Sequence, residues 1–312
     1  MTRDSAPRVR GGDDAAAGAG PAGGLRVYGV SAAVDGRGTG RRDGPGAGHG
    51  GTVPGSPDVR LRDYVHGYVG FGPTMGLPAV QRVLPEVAVM LVLDFVARPS
   101  RLVTAEGGAA RMPSLPVIGL HDRPVLVEHG GSPRGVAIGL TPPGAHALFG
   151  VAMSELANTY TSLADLVGGR AWCLVEQLSQ LSHWQARFAL LDRTLTQWLA
   201  GTNAPAATVL RAWRRLTESA GQLTIAGLSD ELGCSRRYLE MRFGEQVGLP
   251  PKTAARILRF KGAARILTAA DGGSLSEIAG RCGYSDQAHL NRDFRALAGC
   301  TPTEFLLRRS SG

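Results

Sequence analysis

Two stretches near the C-terminal end repeat one pattern fifty residues apart. They are Ile225-Ala-Gly-Leu-Ser-Asp-Glu-Leu-Gly-Cys-Ser-Arg-Arg-Tyr-Leu-Glu-Met-Arg-Phe243 and Leu275-Ser-Glu-Ile-Ala-Gly-Arg-Cys-Gly-Tyr-Ser-Asp-Gln-Ala-His-Leu-Asn-Arg-Asp-Phe294. Each reads as a short amphipathic helix, a glycine turn, a serine able to cap, and a second amphipathic helix with polar outward positions. This pattern predicts a helix-turn-helix, a motif whose second helix enters the DNA major groove. Two copies on one chain would let a single protomer read two successive grooves.

Local signals support the repeat. Thr224 is placed to cap the first helix, and Ile225, Leu228 and Leu232 form its inward stripe. Gly233 suits a left-handed turn, Ser235 is placed to cap the second helix, and Leu239 and Phe243 point inward. In the second copy Ser274-Leu-Ser-Glu277 has the form of a capping box. Leu275, Ile278 and Cys282 repeat the stripe and Gly283 repeats the turn, with the second reader expected to start near Ser285. Pro250-Pro251 opens a long helix to about Ala270, read as a connector, and Thr301-Pro302 opens a short closing helix.

Charge is concentrated on the repeat. The chain carries 34 Lys+Arg against 26 Asp+Glu, a formal net charge of +8. From Pro205 onward there are 16 basic and 10 acidic residues, so +6 of that charge lies in the last third. A basic domain suits a polyanion through counterion release, although an arginine-rich solvated surface has the same composition.

The remainder divides by composition. Residues 1–56 hold 16 of the 44 glycines and read as a disordered Gly/Arg-rich tail. Short apolar segments come next at Tyr64–Phe71, Ala88–Val96, Val117–Leu120, Val125–Glu128 and Gly135–Leu140, punctuated by Pro and Gly. They predict a β-rich sandwich or barrel. Helical spacing takes over from Ala145, and Ala171–Leu199 reads as one or two helices with a possible break at Ser182-His183. The expected fold class is therefore α+β. A β-rich domain at 57–200 ends in helices, a linker spans 201–206, and an all-α domain occupies 207–308.

The four cysteines (Cys173, Cys234, Cys282, Cys300) lack metal-ligand spacing and are too few for a disulfide scaffold, which points to a reducing cytoplasm. No apolar run is long enough to span a bilayer, and the N-terminus lacks a signal-peptide core. His121, Asp122, Glu128, His129 and His146 are spaced too irregularly to specify a metal site. No nucleophile elbow, phosphate loop or HExxH occurs, so no enzyme, cofactor or metal is expected.

The set Leu232-Gly-Cys-Ser-Arg-Arg-Tyr-Leu239, Phe243, Gly248-Leu-Pro-Pro251, Arg259, Ala263, Ile278-Ala279, Gly283-Tyr-Ser-Asp-Gln287, Phe294 and Gly299-Cys-Thr-Pro302 resembles the DNA-binding domain of the AraC/XylS family of transcriptional regulators. The resemblance implies seven helices with two readers on a rigid connector, and double-stranded DNA as the partner. It places Arg236, Arg237, Glu240 and Met241 at or beside base-facing positions of the first reader. Gln287, Ala288, His289 and Arg292 take those positions in the second. Ser235, Ser285 and Thr253 would face phosphate. Leu290 stands where an aromatic is usual and Ala254 where tyrosine is common; Ala288 cannot hydrogen-bond a base.

Each reading has a plainer counterpart. Arg237 and Arg292 would pair with guanine or merely hold phosphate. Glu240 would accept from cytosine or pair with Arg236 one turn away. His289 would read a base or face the backbone, and Arg259 is expected in an internal salt bridge. Arg82–Val96 and Gly135–Ala145 are similar, more loosely, to sensor halves of actinobacterial members of this family. That similarity implies a small-molecule effector by analogy only. RNA polymerase as a further partner, and a monomer or a homodimer, stay open. So does a ligand-independent binder whose N-terminal half only scaffolds or dimerises through Ala171–Leu199.

Overall fold

The computed structural model describes residues 26–28, 52–72, 80–96, 101–103, 109–128, 134–202, 204–269 and 273–310. Eleven strands among them form two sheets. In the first, β1 (Arg26–Tyr28), β4 (Val80–Val83), β9 (Val125–Glu128), β6 (Arg101–Val103) and β7 (Ala109–Arg111) lie side by side in that order. In the second the order is β11 (Tyr160–Ser162), β8 (Pro116–Ile118), β5 (Val89–Asp94), β10 (Gly135–Leu140), β3 (Val65–Phe71) and β2 (Thr52–Gly55). All pairings are antiparallel except β1 with β4.

Every residue of β10 is buried, because the strand runs between β3 and β5 and is covered on both faces. Its register sorts side chains cleanly: Val136, Ile138 and Leu140 join Leu93, Leu91 and Val89 in the main core. Ala137 joins Val69 and Met90 in a small cluster of its own. Two strands fall inside the segment expected to be a disordered tail. Arg26–Tyr28 pairs with β4, and Thr52–Gly55 pairs with β3, so strands begin before residue 57. Pro54 is tolerated in β2 because that strand is an edge, where a missing amide donor costs no ladder bond. The rest of the tail lies outside the described residues.

Helices then cover the main-core face. Thr141 caps α1 (Pro142–Phe149) through its hydroxyl, which accepts from the amide of Gly144 at 3.0 Å. Two further helices, α2 (Leu163–Val167) and α3 (Arg170–Gln180), precede α4 (Trp184–Leu199). A Cβ at Gly70 would lie 2.4 Å from the Trp184 ring, so glycine there lets α4 settle on β3. Tyr68 is fully buried and donates to Asp192 Oδ1 on α4 at 2.8 Å; burial and that carboxylate hold its phenol far above the usual range. The break expected at Ser182-His183 is present, and a buried cation closes it. Arg187 donates to the main-chain oxygens of Leu178 and Leu181 at the end of α3, while its guanidinium lies over the Trp184 and Phe95 rings.

Among the described residues seven helices follow: α5 (Ala207–Glu218), α6 (Ile225–Leu232), α7 (Arg236–Val247), α8 (Pro251–Leu267), α9 (Leu275–Arg281), α10 (Gln287–Ala298) and α11 (Pro302–Ser310). The α8 helix is more than a connector. Ala254, Ile257, Phe260 and Ala263 are buried along it, and α5, α7, α9, α10 and α11 all pack on it. Phe294 sits edge-on to both Phe260 and Phe305, with centroids 5.0 and 5.6 Å away. The fold is thus α+β, and one continuous core runs from the main-core sheet through α1 and the Met153–Glu155 turn into the seven helices.

Among the described residues no helix is long and apolar enough to cross a membrane, and no group of three or more His, Cys, Asp or Glu could hold a metal. His121 is instead buried with Nδ1 2.7 Å from the Gly119 oxygen, and burial lowers its pKa. His146 Nδ1 lies 2.9 Å from the Val151 oxygen, and His129 falls outside the described residues. All four cysteines are free.

Candidate nucleic-acid interface

The first repeat folds as its pattern dictates. The Thr224 hydroxyl accepts from the Gly227 amide at 3.1 Å and starts α6. Gly233 ends that helix at φ 64°, and the Ser235 hydroxyl accepts from the Tyr238 amide at 3.2 Å to start α7. Leu228, Leu239 and Phe243 have no exposed surface, which fixes the opposite face of α7 outward. That face carries Arg236, Arg237, Tyr238, Glu240 and Met241, all exposed, with Met241 at 61 %. Arg236 Nε meets Glu240 Oε1 at 3.0 Å, so the intrahelical pairing is the one realised in the free protein. Thr253, half-buried in the first turn of α8, belongs to a different helix from the first reader.

The second repeat opens with a complete capping box. The Glu277 amide donates to Ser274 Oγ, and Glu277 Oε2 accepts from the Ser274 amide at 2.7 Å. That amide and the Ser274 hydroxyl hold the Glu277 carboxyl below its ordinary range. Ile278 and Cys282 are buried and Gly283 adopts φ 73°.

The start of the second reader differs from expectation. Asp286, not Ser285, is the cap of α10: its Oδ1 accepts from the His289 amide at 2.6 Å. That bond is the main reason the Asp286 carboxyl is held below its usual range. An anion is the better cap here because it also answers the positive end of the helix. Ser285 braces it, with Oγ 3.3 Å from Asp286 Oδ2 and 3.2 Å from His289 Nδ1.

The cap at Asp286 also reveals one extra residue in the second repeat. The first helices match at an offset of fifty, from Thr224 and Ser274 through Gly233 and Gly283. The readers match at an offset of fifty-one, from Ser235 and Asp286 through Phe243 and Phe294 to Gly248 and Gly299. The insertion therefore lies in the turn, and both readers are 12-residue helices. Gln287, Ala288 and Arg292 are exposed and His289 is half-buried against the edge of Tyr284. Arg292 stands at the position of Met241, Ala288 at that of Arg237, and His289 at that of Tyr238.

Arg259 is internal, as expected, but not in a salt bridge. Its Nη1 reaches the Gly221 oxygen at 3.5 Å and its guanidinium lies over Tyr284. The nearby acid, Asp293, is taken by Arg256 at 2.6 Å, with the Asp293 side chain only 6 % exposed. That pair ties α10 to α8 and has no counterpart in the first repeat, where Arg242 occupies the equivalent position and pairs along its own helix with Glu245.

Sequence reasoning missed Tyr238, Asp286 and the Arg256–Asp293 pair. The acid immediately before Gln287 was a legible sign of the cap. Contacts from the N-terminal half were not legible. Gln246 Oε1 accepts from the Ala206 amide at 2.9 Å, and Gly248 presses on the main-chain oxygen of Met153. Arg82 and Glu86 reach α10 and α8.

Residues 228–308 match the family described as "Helix-turn-helix domain". The F1 operon positive regulatory protein of Yersinia pestis is 36 % identical over 73 residues, which are 23 % of this chain and 24 % of that protein. The chain thus spans about a quarter of the length of this curated relative. Among solved structures, the DNA-binding domain of AdpA, a global transcriptional factor in complex with a target DNA, is 27 % identical with a TM-score of 0.31. It covers 34 % of this chain and all of that one. ToxT from Vibrio cholerae is 11 % identical with a TM-score of 0.42, covering 77 % of this chain and 98 % of its own.

Proposed function

We infer that this chain, a DNA-binding transcriptional regulator with an AraC-type helix-turn-helix domain at its C-terminal end, reads an asymmetric duplex site with α7 and α10 in adjacent major-groove turns. One observation carries the reading. Two capped helices of equal length, held on one spine helix, turn different sets of polar side chains to solvent. Equal faces would suit a symmetric site; unequal faces suit two unlike half-sequences.

Within this reading Arg237 and Arg292 take the base-contact roles. Glu240 and Arg236, already paired, trade their mutual bond for contacts to bases or phosphate. Gln287, His289 and Met241 complete the two surfaces, and Ser235, Ser285 and Thr253 lie towards phosphate. Residues 207–308 are the DNA-binding unit, 201–206 the linker, and 57–200 the unit through which a small-molecule signal acts. The continuous core favours a second reading of that unit, as a scaffold that holds the readers without any effector.

The test is a gel-shift titration against a duplex selected from a randomised pool by the full-length chain, with random duplex as reference. Arg292→Ala is expected to weaken the selected duplex about tenfold, the discrimination of one bidentate base contact, and random duplex far less. Equal losses on both would make Arg292 a phosphate contact. No duplex enriched over random would end the reading itself.

A further inference from the structure

The N-terminal half grips the second reader at the end far from its cap. Arg82, on β4, donates through Nη1 to the main-chain oxygen of Ala298, the last residue of α10, at 2.8 Å. The same guanidinium lies so close to Gly299 that a Cβ there would stand 2.4 Å from Nη1. A helix C-terminus gathers partial negative charge on its open carbonyls, so a guanidinium is the donor best suited to it. Four residues on, Glu86 Oε2 meets Lys261 Nζ of α8 at 2.6 Å, with these side chains only 12 % and 25 % exposed. One short segment, Arg82 to Glu86, thus touches both the second reader and the spine on which it rides.

The first reader is met differently. Its terminal Gly248 abuts the main-chain oxygen of Met153, and the contact involves no charged side chain. The α10 helix is packed along its length by Leu290, Phe294, Leu297 and Ala298 and paired at Asp293. Arg82 adds a directional polar bond at its C-terminal carbonyl, and recognition geometry tolerates only about half an ångström of play.

We propose that Arg82 is a positioning residue for DNA binding, which sets the tilt of α10 through the Ala298 carbonyl while Glu86 and Lys261 anchor the clasp. The proposal rests on the reading of α7 and α10 as DNA readers. The β4 strand therefore controls how well one half-site is read without touching DNA.

The experiment uses the full-length chain and the duplex it selects from a randomised pool; if none is selected, the DNA-reading premise fails before Arg82 is tested. Hydroxyl-radical footprints first assign the two half-sites, as those weakened by Arg237→Ala and by Arg292→Ala. Arg82→Ala is then expected to lose about tenfold in affinity, the scale of one hydrogen bond to a charged group. Protection should fade on the half-site that depends on Arg292 and persist on the other. Arg82→Lys, which keeps the charge but not the planar fork, should recover part of the loss. It also serves should the alanine variant fail to fold. Glu86→Gln should shift the same half-site by less. Loss spread evenly over both half-sites, unchanged binding, or tighter binding would each overturn the proposal.

Discussion

The two readers have one blueprint and different mechanical support. The first is capped by a neutral serine, pairs its charges along its own helix, and ends against a main-chain oxygen. The second is capped by an aspartate, tied to α8 by the bond of its buried Asp293 to Arg256, and held at its far end by Arg82. Apolar packing and one neutral bond, from the Ala206 amide to Gln246, secure α7, with Leu239 and Phe243 wholly buried; α10 repeats the packing and adds charge at its start, middle and end. Duplication supplies a frame, and the frame tolerates quite different means of fixing its readers.

The sharpest way to break this comparison is at the matched positions Asp293 and Arg242. Asp293→Ala removes a charge-assisted bond from a buried acid to the partly exposed Arg256 and should cost about 2 kcal/mol. Arg242→Ala removes a pair that is partly exposed at both ends and lies along one helix, and should cost less than about 1 kcal/mol. Urea denaturation of both variants measures the difference, and equal costs would mean that the second reader has no special anchor.

The cap glycines come next. Both have positive φ, 96° at Gly248 and 67° at Gly299, so alanine is strained at either. At Gly248 the new methyl would meet main-chain oxygen 2.6 Å away, whereas at Gly299 it would meet a side chain able to swing aside. Gly248→Ala should therefore destabilise by about 2 kcal/mol and Gly299→Ala by about 1 kcal/mol. Thermal melts give the order, and a reversed order would show that Arg82 is the more rigid of the two contacts.

The smallest effect is in acid. The Asp286 carboxyl is depressed by the His289 amide, so what it adds to stability is present above its unfolded pKa and is lost as pH falls through its lower folded pKa. Ser235 does not titrate. Amide exchange at His289 should accelerate below the ordinary carboxylate range while that at Tyr238 keeps its neutral-pH protection relative to the rest of α7. Parallel behaviour of the two amides would remove the aspartate from its capping role.

Much of this was legible because helices announce themselves locally. Thr224, Ser235 and the Ser274–Glu277 box are within three residues of the amides they satisfy, and Leu239 and Phe243 repeat at helical spacing. Ser285 misled because it repeats Ser235 in type, while the helix takes the better anion one residue later. Thr52–Gly55 hid in a glycine-rich stretch because an edge strand needs only one partner. Arg256–Asp293 spans 37 residues and Arg82–Ala298 spans 216, and no periodicity encodes such distances. On the reading faces, exposure could be expected from the stripe opposite, but the Arg236–Glu240 bond needed coordinates to choose it over its alternatives.

The two repeats differ in length by a single residue, and its place matters. Inserted within a helix, a residue would turn every later side chain by about 100°, carrying Leu290 and Phe294 out of the core. Placed in the turn between Gly283 and Asp286, it leaves the phase of the α10 helix untouched. Each 12-residue helix thus takes its phase from its own cap and terminal glycine. Its outward residues, and the length of the turn that leads into it, can differ between the repeats while the inward stripe still meets the spine.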